Sequence, residues 1–346
     1  MTEARPWVRS AYRLALVAGL WTGAASAETV RWTATSLLHP IAFGEAGQAL
    51  AERVNVLSDG AFEIDLRDRM VLDQDVFEAL QSGVIDAAWG SAGHHHREDP
   101  ALTLFSGFPF GPDGPAFTAW MLEGGGQAAI DAIYARHGLR SLYCGVLPAE
   151  TGGWFNEQFD DVEDLEGLPM RAFGYGGRTL RRLGVTTFEL GAGDIAPAFA
   201  DGTIAAAEFS IPQIDVAIGL PEAARHLYLP GWQAPSTPLE LLMTQETYAG
   251  LAPQARAILD TACEAGIAET YPRVSAAQSE TLAALEAEGV EIHDWPEPVL
   301  AELQDAWADE IAEEVRSDPL LGAAWESWLA FRDGPLALER RAETLH

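Results

Sequence analysis

"GDIAPAFADGTIAAAEF", Gly193–Phe209, has the period of a short helix, a glycine stop at Gly202 and then a small, apolar strand. The strand closes on Glu208, an acid whose neighbours Ile204, Ala205, Ala206 and Ala207 indicate burial. An unpartnered buried charge costs several kcal/mol, so Glu208 calls for a partner. The same grammar occurs at Val76–Trp89, "VFEALQSGVIDAAW", which lies over "IAPAFADGTIAAAE" at Ile195–Glu208. Ala79 then meets Ala198, Gly83 meets Gly202, Ile85 meets Ile204, and Ala87 and Ala88 meet Ala206 and Ala207. The last matched positions are Trp89 and Glu208. The spacing is too long for a solenoid. It fits two similar α/β lobes, each presenting one residue at the carboxyl end of an equivalent strand, where open α/β sheets bind ligands. Chance likeness between two segments rich in Ala and Gly is the competing explanation.

Outward from these copies, strands and helices alternate. "TVRWTATS", "AFEIDLRDR" and "VIDAAWGS" read as strands around helices over 41–58 and 73–83. "PMRAFG", "TTFEL" and "TIAAAEFS" repeat the pattern around helices over 175–184 and 194–202. Such βαβαβ runs predict a mostly parallel sheet with helices on its faces, hence an α/β class. The C-terminal third reads as acidic amphipathic helices, with Leu300, Leu303, Trp307 and Ile311 on one stripe and Trp325, Trp328 and Phe331 following.

The chain has 346 residues, 52 acidic against 21 basic, a formal charge of −31, and all its basic residues are Arg. That balance repels nucleic acid and anionic lipid and excludes both as partners. Arg5, Arg9 and Arg13, the apolar "LALVAGLW" and the Ala25-Ser26-Ala27 site form a secretory signal peptide over 1–27, so a periplasmic location is expected. Cys144 and Cys263 either pair in an oxidising compartment or remain buried thiols, and the sequence favours the thiols. "HHH" at His94–His96 lacks metal-ligand spacing and reads as a solvated loop near the cleft. "EGGG" lacks the Lys-Ser/Thr of a phosphate loop.

"MRAFGYGGRTLRRLGVTTFELGAGDIAPAFADGTIAAAEFSIP", Met170–Pro212, resembles the central signature of the TRAP-transporter solute receptors, the bacterial extracellular solute-binding protein family 7. "DPALTLFSGFPFG", "EGGG" and "GGWF" resemble that family too, and "LPGWQ" and "YAGLAP" resemble its branch for 2-oxo and 2-hydroxy monocarboxylates. The resemblance implies a two-lobed venus-flytrap fold with long C-terminal helices bracing both lobes. It implies lobe I at 28–148 plus 237–276, lobe II at 149–236 plus 277–304, and a helical tail at 305–346. It further implies no enzymatic activity, a small organic acid as ligand, a TRAP membrane permease as partner and a possible homodimer.

Arg171 matches the arginine that clamps the substrate carboxylate in the resembling family. Its planar fork suits that chemistry, with amides at Gly176 and Gly177 adding positive potential. A plain ion pair is the alternative. Glu208 matches the glutamate that binds a bridging cation, calcium or sodium, with pairing to Arg171 alone as the alternative. Glu150 departs from the family, which carries glutamine there. A second carboxylate favours a divalent ion, or a substrate bearing a cationic group, or it faces solvent. Phe209 replaces a common Trp, and its backbone carbonyl remains available as a cation ligand. Trp89, Tyr175 and Trp232, with Phe108, Phe110 and Phe209, are expected as apolar cleft walls, core packing being the alternative. A sugar acid or an amine-bearing solute is the competing ligand class. An exported hydrolase with Glu150 and Glu208 as acid and base is the competing activity.

Overall fold

The computed structural model describes Met1 and residues 29–337, apart from 38, 73 and 74. The expected signal peptide, apart from Met1, and the last nine residues of the expected tail lie outside the described residues. Among the described residues no helix is long and apolar enough to cross a membrane.

Eleven strands among the described residues form two sheets: β1 (Val30–Ser36), β2 (Phe62–Asp68), β3 (Ala87–Gly90), β4 (Leu139–Leu147), β5 (Gly153–Phe155), β6 (Pro169–Arg171), β7 (Thr186–Phe188), β8 (Ala206–Ala207), β9 (His226–Leu229), β10 (Thr237–Thr244) and β11 (Glu291–Asp294). The first sheet has the order β2-β1-β3-β10-β4 and the second β11-β9-β5-β8-β6-β7. Reading the second backwards gives β7-β6-β8-β5-β9, the same layout as the first. In both, two βα units lay three parallel strands side by side, and an antiparallel strand closes against the third. The sequence echo is therefore a topological repeat. The closing strand comes from elsewhere in the chain each time: β10 follows the second set and β5 precedes it. These insertions make both sheets mixed, where the local βαβ pattern predicts mostly parallel ones.

Each echoed helix, Val76–Gln81 and Ala192–Ala200, stops where the sequence places it. Gly83 and Gly202 take φ of 74° and 78°, the left-handed stop that glycine reaches without strain. The helix expected over 41–58 begins later, at Glu45, because Ile41 and Ala42 leave helical geometry after Pro40.

Two helices tie the sheets together. Pro253–Ala287 buries Leu259, Ala262 and Val274 in the core of the first sheet and Leu285 in that of the second. Glu297–Ser317 puts Val299 and Leu303 in the second core and Trp307 and Ile311 in the first, beside Trp328 and Phe331 of Pro319–Asp333. Arg178 and Arg182 of helix Gly174–Arg182 pair with Glu314 (2.7 Å) and Glu310 (2.7 Å) of that brace. The architecture is a two-lobed α/β fold with bracing C-terminal helices.

Cys144 and Cys263 form a disulfide, which corrects the expectation of free thiols. Helix Pro253–Ala287 lies so close on β4 that a Cβ at Gly266 would come 2.4 Å from the Cys144 carbonyl oxygen. That approach brings the two cysteines, 119 positions apart, within bonding range, and no local pattern announces it. We expect Cys144→Ser/Cys263→Ser to lose about 2–4 kcal/mol of unfolding free energy. A urea midpoint unchanged from the oxidised wild type would refute this.

Candidate ligand-binding site

A cavity of about 380 Å³ opens between the sheets, lined from the second by Arg171, Glu208 and Phe209 and from the first by Ser91, His94 and Thr103. Glu150 and Thr237, at the chain crossings, complete the wall. Arg171 ends β6 opposite Ala207 of β8, so Glu208 follows directly beside it and donates its N–H to the Arg171 carbonyl at 3.1 Å. The side chains meet as well. Arg171 Nη1 donates to Glu208 Oε1 at 2.9 Å and also to the Glu208 carbonyl, while Arg171 Nε donates to the Leu190 carbonyl at 3.2 Å. The Phe173 N–H donates to Glu208 Oε1 at 2.7 Å. Both donors to the carboxylate thus reach Oε1, and Arg171 Nη2 makes none of these bonds. The Phe209 ring covers the guanidinium at 4.7 Å.

Glu150 is held by its backbone, whose N–H donates to the Ala234 carbonyl and whose carbonyl accepts from Gly231. Its Oε1 accepts from Thr237 Oγ1 at 2.9 Å. Behind it, fully buried Asp215 accepts from Thr151 Oγ1 (2.7 Å), Trp154 Nε1 (2.9 Å) and the Ser210 N–H (3.1 Å), fixing the turn that carries Glu150. Burial, and then the charge of Glu208, push the Glu150 carboxyl up to about 8. Burial also pushes Asp215 up to about 7. Glu208 is raised by burial too, opposed by Arg171 and by the Phe173 N–H. Around the cavity, Thr103 Oγ1, Ser210 Oγ and Gln233 Oε1 are buried with no hydrogen-bond partner. Orphaned groups of this kind mark a place where a polar guest completes the bonding.

A guanidinium with a spare face, two acids short of positive charge and unpaired polar atoms make a site for capturing a small polar molecule. The sequence profile of the bacterial extracellular solute-binding proteins, family 7, matches residues 36–318. This chain belongs to that family. A monocarboxylate 2-oxoacid-binding periplasmic protein of Nostoc sp. is 31% identical over 315 residues, covering 90% of this chain and 86% of that one. A TRAP transporter solute-binding protein of Bordetella bronchiseptica, a dimer with copurified calcium and picolinate, superposes with a TM-score of 0.86 at 27% identity, covering 92% and 96% of the two chains. One from Pseudoalteromonas atlantica with bound sodium and pyruvate gives 0.85 at 26% identity, covering 92% and 98%. The first is a periplasmic 2-oxoacid-binding protein and the other two are solute-binding proteins of TRAP transporters.

In this solute-binding protein, the cavity brings together Arg171, Glu150, Glu208, Phe209 and Tyr175. Trp89 and Trp232 lie outside its lining, which corrects their expected place. Trp89 points into the first core, where its indole N–H donates to the Phe43 carbonyl at 2.8 Å. Trp232 stacks on Phe110 at 5.6 Å in the second core, and its neighbours Gln233 and Ala234 reach the cavity instead. Phe108 packs against Trp325, also in the core. The expected solvated histidine loop is a 3-10 helix, Ala92–His95, with His95 buried against Phe77 and with His94 and His96 on the cavity wall. The sequence reading missed Asp215, Thr237 and Gln233.

The raised Glu150 gives a sign to the pH dependence. Between its ordinary 4.5 and about 8, the folded protein free of ligand and cation holds a proton that the unfolded chain has released. Stability therefore falls as pH rises through that window, by up to about 1.4 kcal/mol per pH unit per group. Asp215 acts in the same direction up to about 7. We expect Glu150→Gln to make the decline between pH 5 and 8 shallower in chemical denaturation. Parallel curves for variant and wild type would contradict the assignment.

Proposed function

We propose that this chain is the periplasmic capture subunit of a TRAP transporter, binding a 2-oxo or 2-hydroxy monocarboxylate through Arg171 and a cation. The observation that carries this reading is the buried Arg171–Glu208 pair, with a second carboxylate, Glu150, in the same wall. Arg171 presents its Nη2 edge to the ligand carboxylate. Glu208, Glu150 and the Phe209 carbonyl would hold the cation, an all-oxygen set that suits calcium or sodium. The high Glu150 value fits such a role, since a carboxyl so short of positive charge gains most from a nearby cation. When bound, the cation supplies positive charge shared by the ligand carboxylate and its 2-oxo or 2-hydroxyl oxygen. Phe209 and Tyr175 exclude water from the trapped guest.

In this reading the signal peptide over 1–27 is removed. The lobes divide as 28–148 plus 237–276 and 149–236 plus 277–304, and closure between them presents the complex to a membrane permease. The tail, 305–346, braces both lobes and is where a homodimer would form. The two-lobed layout of a receptor, and an Arg171 that already occupies Glu208, argue against an acid–base pair for hydrolysis.

Two variants test the site by calorimetry with pyruvate, with and without calcium. Arg171→Ala lowers affinity by at least about 100-fold and costs a few kcal/mol of stability, because Glu208 loses its buried partner. Retained affinity would remove the clamp. Glu208→Gln weakens binding and its calcium dependence together; a loss of affinity with calcium dependence intact would remove the cation role. Tight binding of an amine-bearing acid that ignores calcium would replace the cation at Glu150 with the ligand's own charge.

A further inference from the structure

Far from the cavity, the edge of the second sheet gathers three metal-binding groups. β11 is the outermost strand and runs parallel to β9, with His226 opposite Glu291 and Tyr228 opposite His293. Side chains two apart on a strand share a face, and directly paired residues of neighbouring strands sit side by side on it. His226, Glu291 and His293 therefore converge, while the alternate residues Leu227 and Ile292 pack into the core on the other face. His226 Nδ1 lies 3.0 Å from His293 Nε2 and 3.7 Å from Glu291 Oε2. All three ligand atoms fall within 4.8 Å of one another. None of the three residues lines the cavity.

We propose that His226, His293 and Glu291 form a second metal site, one for a divalent transition ion such as zinc. Two imidazoles and one carboxylate are a set that zinc accepts, with water in the fourth position. Two nitrogens on one tetrahedral zinc stand roughly 3.3 Å apart, close to the spacing already present. Nitrogen ligands distinguish this site from the all-oxygen cavity set, which suits hard cations. The Tyr228 ring stacks on His293 at 5.0 Å and limits how that imidazole can turn. His226 is largely buried, with a side chain 18% exposed, whereas Glu291 is 63% exposed and closes the site from solvent. A metal here staples the edge strand to its neighbour, just beyond the end of helix Pro253–Ala287, at the place where a sheet is most easily frayed.

The test uses the full chain freed of metal by chelator and then dialysed with ZnCl2 in excess calcium. Wild type takes up one more equivalent of zinc than His226→Gln/His293→Gln and melts higher when zinc is added, a rise absent from the double variant. Cobalt(II) at one equivalent gives wild type the visible absorption of a four-coordinate centre, which zinc abolishes. Each single His→Gln change weakens that equivalent by more than about tenfold, while calcium-dependent melting at the cavity stays as in wild type. Equal zinc uptake by wild type and double variant, or no uptake by either, overturns the site and leaves a hydrogen-bonded histidine pair. A double variant that melts lower without metal still decides the matter through the wild-type cobalt spectrum, whose absence also overturns it.

Discussion

Three carboxyl groups, those of Glu150, Glu208 and Asp215, stand around one buried guanidinium, that of Arg171, and the rest of the site follows from that shortage. Arg171 is committed to Glu208 at 2.9 Å and braced by the Leu190 carbonyl, so it pairs with neither Glu150 nor Asp215 and only partly offsets the rise at Glu150. Those two answer in different ways. Asp215 takes three hydrogen-bond donors and becomes a structural anchor. Glu150 has one side-chain donor, Thr237, and lines the cavity. Removing one partner of a buried pair costs far more than the pair's net worth, so Arg171 and Glu208 are mutually obligatory. Glu150 is the group left wanting a positive partner from outside.

The strand exchange explains why these groups meet. Arg171 and Glu208 come from adjacent strands of one sheet, and their closeness needs only the β6–β8 register. Glu150 and Thr237 belong to neither βαβαβ run. They sit where the chain crosses, Glu150 just before β5 enters the second sheet and Thr237 at the first residue of β10 entering the first. The site is therefore built across the connection between lobes. The two bracing helices share their apolar residues between both cores. Relative movement of the sheets is thus confined to a few crossing segments and to the bending of those helices, which is the geometry of a hinge.

How far the sequence spoke for itself depended on how local each signal was. The glycine stops and the Ala-rich strands of the two copies are local, and the repeat, the helices and the burial of Glu208 were all legible there. Strand partners that lie 51 or more positions apart are not local, so β5 and β10 went unseen as the antiparallel members. The disulfide fails to show for the same reason, since it depends on how closely a helix sits on β4. Trp89 was misplaced because strand position fixes which end of a sheet a residue occupies but not which face it points to, and Trp232 because it lies in the turn after β9, which packs its ring on Phe110. Asp215 sits in the short helix Pro212–Ala217, and its role depends on Thr151 and Trp154, which the fold brings to it.

Under the proposed function, a chain of formal charge −31 captures an anion and must solve a long-range problem by short-range means. The summed field repels an acid at a distance, and no lysine on the surface offsets it. Salt limits that field to about 8 Å at physiological ionic strength, so most of the acidic surface is invisible from inside the cavity. What the guest meets there is the local set. Arg69, Arg97 and Arg171 all line the cavity, and so do Gly174 and Gly176 from the first turn of helix Gly174–Arg182, whose free amides add positive potential. Three arginines thus face the cavity from both sides, among the lining acids Glu98, Glu150, Glu189 and Glu208, with Arg97 3.9 Å from Glu189. The low dielectric that makes a lone buried carboxylate untenable also strengthens each of those attractions. Under the proposed function, the acidic surface and the arginines that face the guest coexist, because screening separates the two length scales.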